Sequence, residues 1–88
     1  MHNNRAYHQE RMVLQRMANR RQRGIDRNHI GTTLEDPFID YATVAKGLGV
    51  ASFGPIIDPN DLGPVLKKAV AVVKSGEPAL VDVVSQGR

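Results

Sequence analysis

A chain of 88 residues, 41% of them hydrophobic and none of them cysteine, makes at most one domain, and at this size only about 60 to 65% of the unfolded surface is buried on folding. The missing cysteine excludes disulfide stapling and thiol catalysis and suits a reducing compartment. No apolar run reaches the roughly 20 residues of a membrane span, and the amino terminus is too polar for a signal peptide, so the expectation is a soluble, cytoplasmic protein. The net charge of +3 is uneven: Arg5, Arg11, Arg16, Arg20, Arg21, Arg23 and Arg27 face only Glu10 and Asp26 in the first 30 residues, while the remainder is slightly acidic. Arginines so placed can neutralise the phosphates of nucleic acid or acidic lipid. Without interleaved aromatics or a nucleic-acid motif they serve equally as a solvated or partner-facing surface, and nucleic acid is the less favoured partner.

In chain order, Met1-His2 is a possible strand stub, followed at once by the amide pair Asn3-Asn4. Paired amides at the mouth of an α/β sheet offer neutral oxygens to a hard divalent cation, and such cations meet phosphates at these places. That reads as half a site, whose acidic ligand on a Gly-rich turn belongs upstream. Ala6, Val13, Leu14, Met17 and Ala18 then share one helical face, which predicts a helix from about Arg5 to Arg23 with Gly24 as its stop. Residues 25–38 mix Asn, His, Gly, Thr, Asp and Pro without period and read as a long surface loop, functional or mobile.

Asp40 is a good N-cap for a short helix through Leu48, with Tyr41, Val44, Ala45 and Leu48 on one stripe and Gly49 as the turn. Val50 to Phe53 fits a strand. Asp58-Pro59 is a strong helix start, and Leu62, Val65, Leu66, Ala69, Val70 and Val73 continue it until Gly76 and Pro78 close it. Ala79 to Val84 is the clearest strand, apolar but for Asp82, which would sit at the strand's end or cap a neighbouring loop. Strand, helix and strand joined by short connections form a right-handed βαβ unit of a parallel sheet, which needs covering helices and more strands than these. The fold expectation is α/β, in the order helix-loop-helix-strand-helix-strand: the carboxyl-terminal part of a doubly wound parallel-sheet domain, with residues 1–88 a partial domain lacking its upstream strands.

The run HNNRAYHQE, the arginine-rich helix, IDYATVAKGLGV and DPNDLGPVLKKAVAVVKSGEPALVDVV together resemble the end of the carboxyl-terminal cofactor-binding domain of thiamine diphosphate-dependent enzymes. Among these the chain is most similar to the acetolactate synthase, benzoylformate decarboxylase and pyruvate decarboxylase group. In that family a Gly-Asp-Gly element opens the cofactor motif and an Asn-Asn element closes it; only the closing element is here. The resemblance implies thiamine diphosphate and Mg2+ as cofactors, a small 2-oxo acid as substrate, and decarboxylation or carboligation as the reaction. It implies that Asn4 gives its side-chain oxygen and Ala6 its backbone carbonyl to the metal, and that Asn3 supports the turn beside the cofactor. It further implies that Tyr7 and Gln9 line the cofactor wall and that Glu10, six residues past the metal-binding Asn, approaches the reacting carbon as a catalytic residue. The implied partners are the rest of the parent enzyme: the upstream half of this domain and the pyrimidine-binding domain of another subunit, which carries the activating glutamate. The isolated chain is then expected to be inactive.

Plainer readings stand beside these. An Asn-Asn dipeptide alone is an ordinary turn former, and Glu10 alone is a solvated helix residue. His2, His8 and His29 lack a dependable zinc spacing, and Tyr41 on its stripe reads as packing. The alternative function is a small non-enzymatic module that binds nucleic acid or an acidic partner through the arginine-rich helix.

Overall fold

The computed structural model describes residues 1–86. Seven segments of regular structure follow the chain: β1 (His2–Asn3), α1 (His8–Arg21), a 3₁₀ turn (Ile25–Arg27), α2 (Tyr41–Gly47), β2 (Ala51–Ile56), α3 (Pro59–Lys74) and β3 (Ala79–Val84). They divide into two units, one formed by Met1–Asn3 and Asp40–Ser85, the other built on Asn4–Ile39. Among the described residues, no helix is long and apolar enough to cross a membrane.

The first unit is the expected α/β body. Its sheet has the order β1-β3-β2, and both pairings are parallel. Parallel neighbours need a crossover, and α3 supplies it between β2 and β3, packing against both strands. Asp58 caps α3 by accepting the Asn60 N–H at 2.9 Å, and Pro59 sits where its missing N–H costs nothing. Leu62, Val65, Ala69 and Val72 turn inward, leaving Leu66, Val70 and Val73 exposed, so the apolar stripe of α3 is wider than the sheet it covers.

Asp40 caps α2 as expected, its carboxylate accepting the Thr43 N–H at 2.9 Å and the Thr43 hydroxyl at 2.7 Å. These bonds favour the ionised form and hold the carboxyl below its ordinary value. The expected stripe of α2 is corrected. Ala42 and Ala45 are buried, whereas Val44 and Leu48 are exposed. Small side chains let the helix approach closely enough for the Ser52 hydroxyl to donate to the Ala42 carbonyl at 2.6 Å.

The strand boundaries also move. The first strand is His2–Asn3 rather than Met1-His2, because Val83 N–H bonds Met1 O at 3.0 Å and Ser85 N–H bonds Asn3 O at 2.9 Å, which carries the ladder through Asn3. β2 runs on to Ile56 through an irregularity: Phe53 pairs with Val81 and Ile56 with Val83, so Gly54 and Pro55 together oppose Asp82. Gly54 has φ +124°, and a Cβ there would come within 2.5 Å of the Asp82 carbonyl oxygen. Only glycine fits. Asp82 itself neither ends the strand nor caps a loop; it lies within β3 and is fully buried.

In the second unit α1 is shorter than the expected Arg5 to Arg23. It begins at His8 because residues 5–7 are engaged elsewhere: Tyr7 N–H donates to Thr32 O and Leu34 N–H to Arg5 O, both at 2.8 Å, making a small antiparallel bridge between Ala6 and Thr33. It ends at Gln22, in the left-handed region at φ +50°, with Arg23 N–H bonded to Ala18 O at 3.2 Å. Gly24, the expected stop, instead opens the 3₁₀ turn at φ +65°. Residues 25–38 are therefore a folded excursion, and Arg5 stacks over the Phe38 ring at 3.9 Å.

Candidate functional site

The residues singled out as ligands fall in the segment that precedes α1. Arg5 adopts φ +55°, a left-handed conformation that costs a non-glycine residue about 1 kcal/mol or more and needs local bonds to hold it. The bonds are present. Asn4 Oδ1 accepts the Ala6 N–H at 3.1 Å across Arg5, forming a side-chain-closed turn, while Arg5 O and Tyr7 N–H are held by residues 32–34.

This arrangement decides where two oxygens point. The bridge uses the groups of Arg5 and Tyr7, not those of Ala6, so Ala6 occupies the position whose own N–H and C=O face away from the partner segment. The N–H of Ala6 meets Asn4 Oδ1, and in extended backbone the carbonyl of a residue points to the same side as its N–H. Asn4 Oδ1 and the Ala6 carbonyl are thereby brought to one side of the turn. Among the described residues the Ala6 carbonyl accepts no hydrogen bond. An amide oxygen has two lone pairs, and the bond from Ala6 occupies only one at Asn4. Two neutral oxygens with free lone pairs on one side of a fixed turn suit a hard cation such as Mg2+, which keeps most of its ligands from phosphate and water. Among the described residues no group of three or more His, Cys, Asp or Glu side chains could hold a metal ion. The turn fits part of a coordination shell.

The other singled-out residues lie differently. Asn3 belongs to β1, in the other unit, and its Nδ2 lies 3.4 Å from Asp82 Oδ2. Tyr7 is the N-cap of α1 through its backbone, accepting the Arg11 N–H at 3.0 Å, and its ring is exposed. Gln9 and Glu10 occupy the first turn of α1, exposed, beside Val13 and Leu14 on a shallow apolar depression. Glu10 there complements the positive end of the helix dipole.

Asp82 carries a feature that the sequence reading did not reach. One of its oxygens faces Asn3, whereas Oδ1 is buried with no hydrogen-bond partner. A buried carboxylate oxygen without a partner is costly and uncommon. The signal available in the sequence was a lone acid in the otherwise apolar run ALVDVV.

A parallel sheet with a crossover helix, and a strand-to-helix turn presenting hard oxygens, are the features of a phosphate-cofactor domain. The sequence matches the family of the thiamine pyrophosphate enzyme C-terminal TPP-binding domain over residues 1–83, and the chain belongs to that family. Its cofactor class is therefore thiamine diphosphate. No curated protein and no solved structure matches the chain.

Proposed function

We propose that this chain contributes part of the cofactor and Mg2+ site of an enzyme acting on small 2-oxo acids, a decarboxylase or an acetolactate synthase-like carboligase. The observation that supports this most is the turn in which Asn4 Oδ1 and the Ala6 carbonyl lie on one side, with Arg5 held left-handed between them. Asn4 and Ala6 would hold the metal that neutralises the diphosphate. Thiamine diphosphate, when bound, supplies the electron sink that lets a 2-oxo acid lose carbon dioxide. Glu10, on the first turn of α1, is the residue of this chain proposed to hold or move a proton beside the substrate, while Tyr7 and Gln9 form the neighbouring wall. Asn3 acts through its place in β1 rather than as a ligand.

The remaining metal ligands and the activating carboxylate are proposed to come from the upstream half of the same domain and from the pyrimidine-binding domain of another subunit. Residues 1–88 are on this reading a partial domain. The exposed apolar residues Leu66, Val70 and Val73 of α3 and Val13 of α1 give such a partner something to cover. The alternative of a non-enzymatic binding module rests on the arginines alone.

The test is Asn4→Ala in the assembled enzyme, followed by retention of thiamine diphosphate on desalting across a magnesium series. Loss of one oxygen ligand lowers retention at low magnesium, and mass action restores much of it at high magnesium. Retention equal to the unsubstituted enzyme at every magnesium concentration contradicts the assignment. In the same preparation Glu10→Gln is expected to lower turnover while leaving cofactor retention unchanged.

A further inference from the structure

The cleft at the carboxyl end of α1 takes no part in that site. Leu14, Met17 and Ala18 form its floor, three apolar side chains on one helical face, and Arg21, Arg23, Gly24, Arg27 and Asn28 complete its lining. Its volume is about 360 Å³, at the small end of ligand cavities. The far wall is fastened, since Asn28 Nδ2 donates to Gln15 Oε1 and Arg27 N–H to Gly24 O at 3.1 Å.

The three arginines are the unusual part. None of the guanidinium groups of Arg21, Arg23 and Arg27 makes a hydrogen bond or an ion pair among the described residues, and no acid lines the cleft. Nor are they needed to cap the helix. The last-turn carbonyls of Ala18 and Asn19 already accept the Arg23 and Gln22 N–H groups, and the Gln22 side chain adds a bond to Asn19 O at 2.7 Å. Guanidinium forks match the oxygens of phosphate, and a triple positive charge suits a dianion better than a single carboxylate. The floor asks for something else: leucine and a pliable thioether pack against an apolar body, and bare phosphate would leave them wet.

We propose that this cleft binds a phosphate monoester with an apolar or aromatic body. It is not the proposed cofactor site: none of Asn4, Ala6, Tyr7, Gln9 and Glu10 lines it, and Arg21 stands at the far end of the 14-residue α1, about 20 Å from its first turn. A nucleic acid is disfavoured, since the lining has no aromatic ring on which bases could stack.

The experiment is an NMR titration of the full chain with phenyl phosphate, inorganic phosphate and phenol as separate probes. Phenyl phosphate is expected to bind at least about ten-fold more tightly than either half-probe, with shifts centred on residues 14–28. Replacing Arg21, Arg23 and Arg27 together by Gln, all exposed and therefore tolerated by the fold, weakens phenyl phosphate by about ten-fold or more. Met17→Gln brings phenyl phosphate down to the affinity of inorganic phosphate. Arg16→Gln, outside the cleft, changes neither, and Asn4→Ala leaves phenyl phosphate binding intact even where it abolishes metal binding. Equal affinity for phenyl phosphate and inorganic phosphate overturns the proposal, as does undiminished binding by the triple variant. So does a single-stranded oligonucleotide that binds more tightly than phenyl phosphate and is weakened as much by Arg16→Gln as by Arg21→Gln, the behaviour of a general polyanion surface.

Discussion

The two units of this chain solve opposite problems. The unit of Met1–Asn3 and Asp40–Ser85 is built for burial: two helices pack on a parallel sheet, Ala42, Ala45 and Ala69 are buried, and Asp82 is fully so. The unit built on Asn4–Ile39 has a 14-residue helix with no buried residue, and its order comes from hydrogen bonds, a bridge and an arginine stacked on a ring. The candidate ligands Asn4 and Ala6 and the arginine cleft are all in this second unit. Burial of a wide face makes a scaffold, and the proposed ligand oxygens and the arginine cleft belong to the other stretch of chain.

The burial-driven unit is tightest at Gly54. Gly54→Ala places a Cβ 2.5 Å from the Asp82 carbonyl oxygen on a backbone at φ +124°, so overpacking and strain act together. The expected loss is about 3 kcal/mol or more, read as a fall in the denaturant midpoint. A midpoint within error of the unsubstituted chain contradicts the packing described for β2 and β3.

Asp82 sharpens the same point with a smaller effect. Asp82→Ala removes the group facing Asn3 Nδ2 and leaves a cavity, with an expected loss of about 1 to 3 kcal/mol. Asp82→Asn keeps the volume and an oxygen to face Asn3, and is expected to cost less than Asp82→Ala. Equilibrium unfolding of the two variants side by side checks the order; a more damaging Asn than Ala contradicts it.

The smallest effect belongs to the exposed cap of α2. Asp40 titrates below its ordinary value because Thr43 donates to the carboxylate from backbone and side chain. A carboxyl lowered on folding contributes stability above its unfolded value and loses it as pH falls through the lowered folded value. Amide protection in residues 41–47, measured against the intrinsic exchange rate at each pH, is therefore expected to fall on acidification through that window, and Asp40→Asn to flatten the dependence. The same acidification leaves the bridge at Ala6 and Thr33 unaltered, because backbone groups form it.

The two units were also unequally legible in the sequence. Asp40, Asp58-Pro59 and the run ALVDVV announce α2, α3 and β3 because capping chemistry and apolar runs are local signals. Non-local signals are not visible in the sequence. The start of α1 depends on Thr32 and Leu34, more than two dozen residues away, and no periodicity in residues 5–23 reveals that Arg5 is left-handed. In α2 periodicity pointed to Val44 and Leu48, but close approach to Ser52 favoured the alanines. The bulge at Gly54 and the burial of Asp82 arise together from strand register, which neither stretch shows alone. Of the site, the amide pair and its place ahead of α1 were readable; the division of labour between Asn3, facing Asp82, and Asn4, closing the turn, emerges only in three dimensions.

The proposed metal shell, with Asn4 Oδ1 and the Ala6 carbonyl on one side of it, is read out by Mn2+ in place of Mg2+. With thiamine diphosphate present and the chain assembled with its enzyme, Mn2+ should selectively broaden the Asn4 side-chain amide and the backbone signals of residues 5–7. Arg21, at the far end of α1 about 20 Å away, should be broadened far less. Broadening centred on Glu10 or Asp26, with the Asn4 amide untouched, would contradict the ligand assignment.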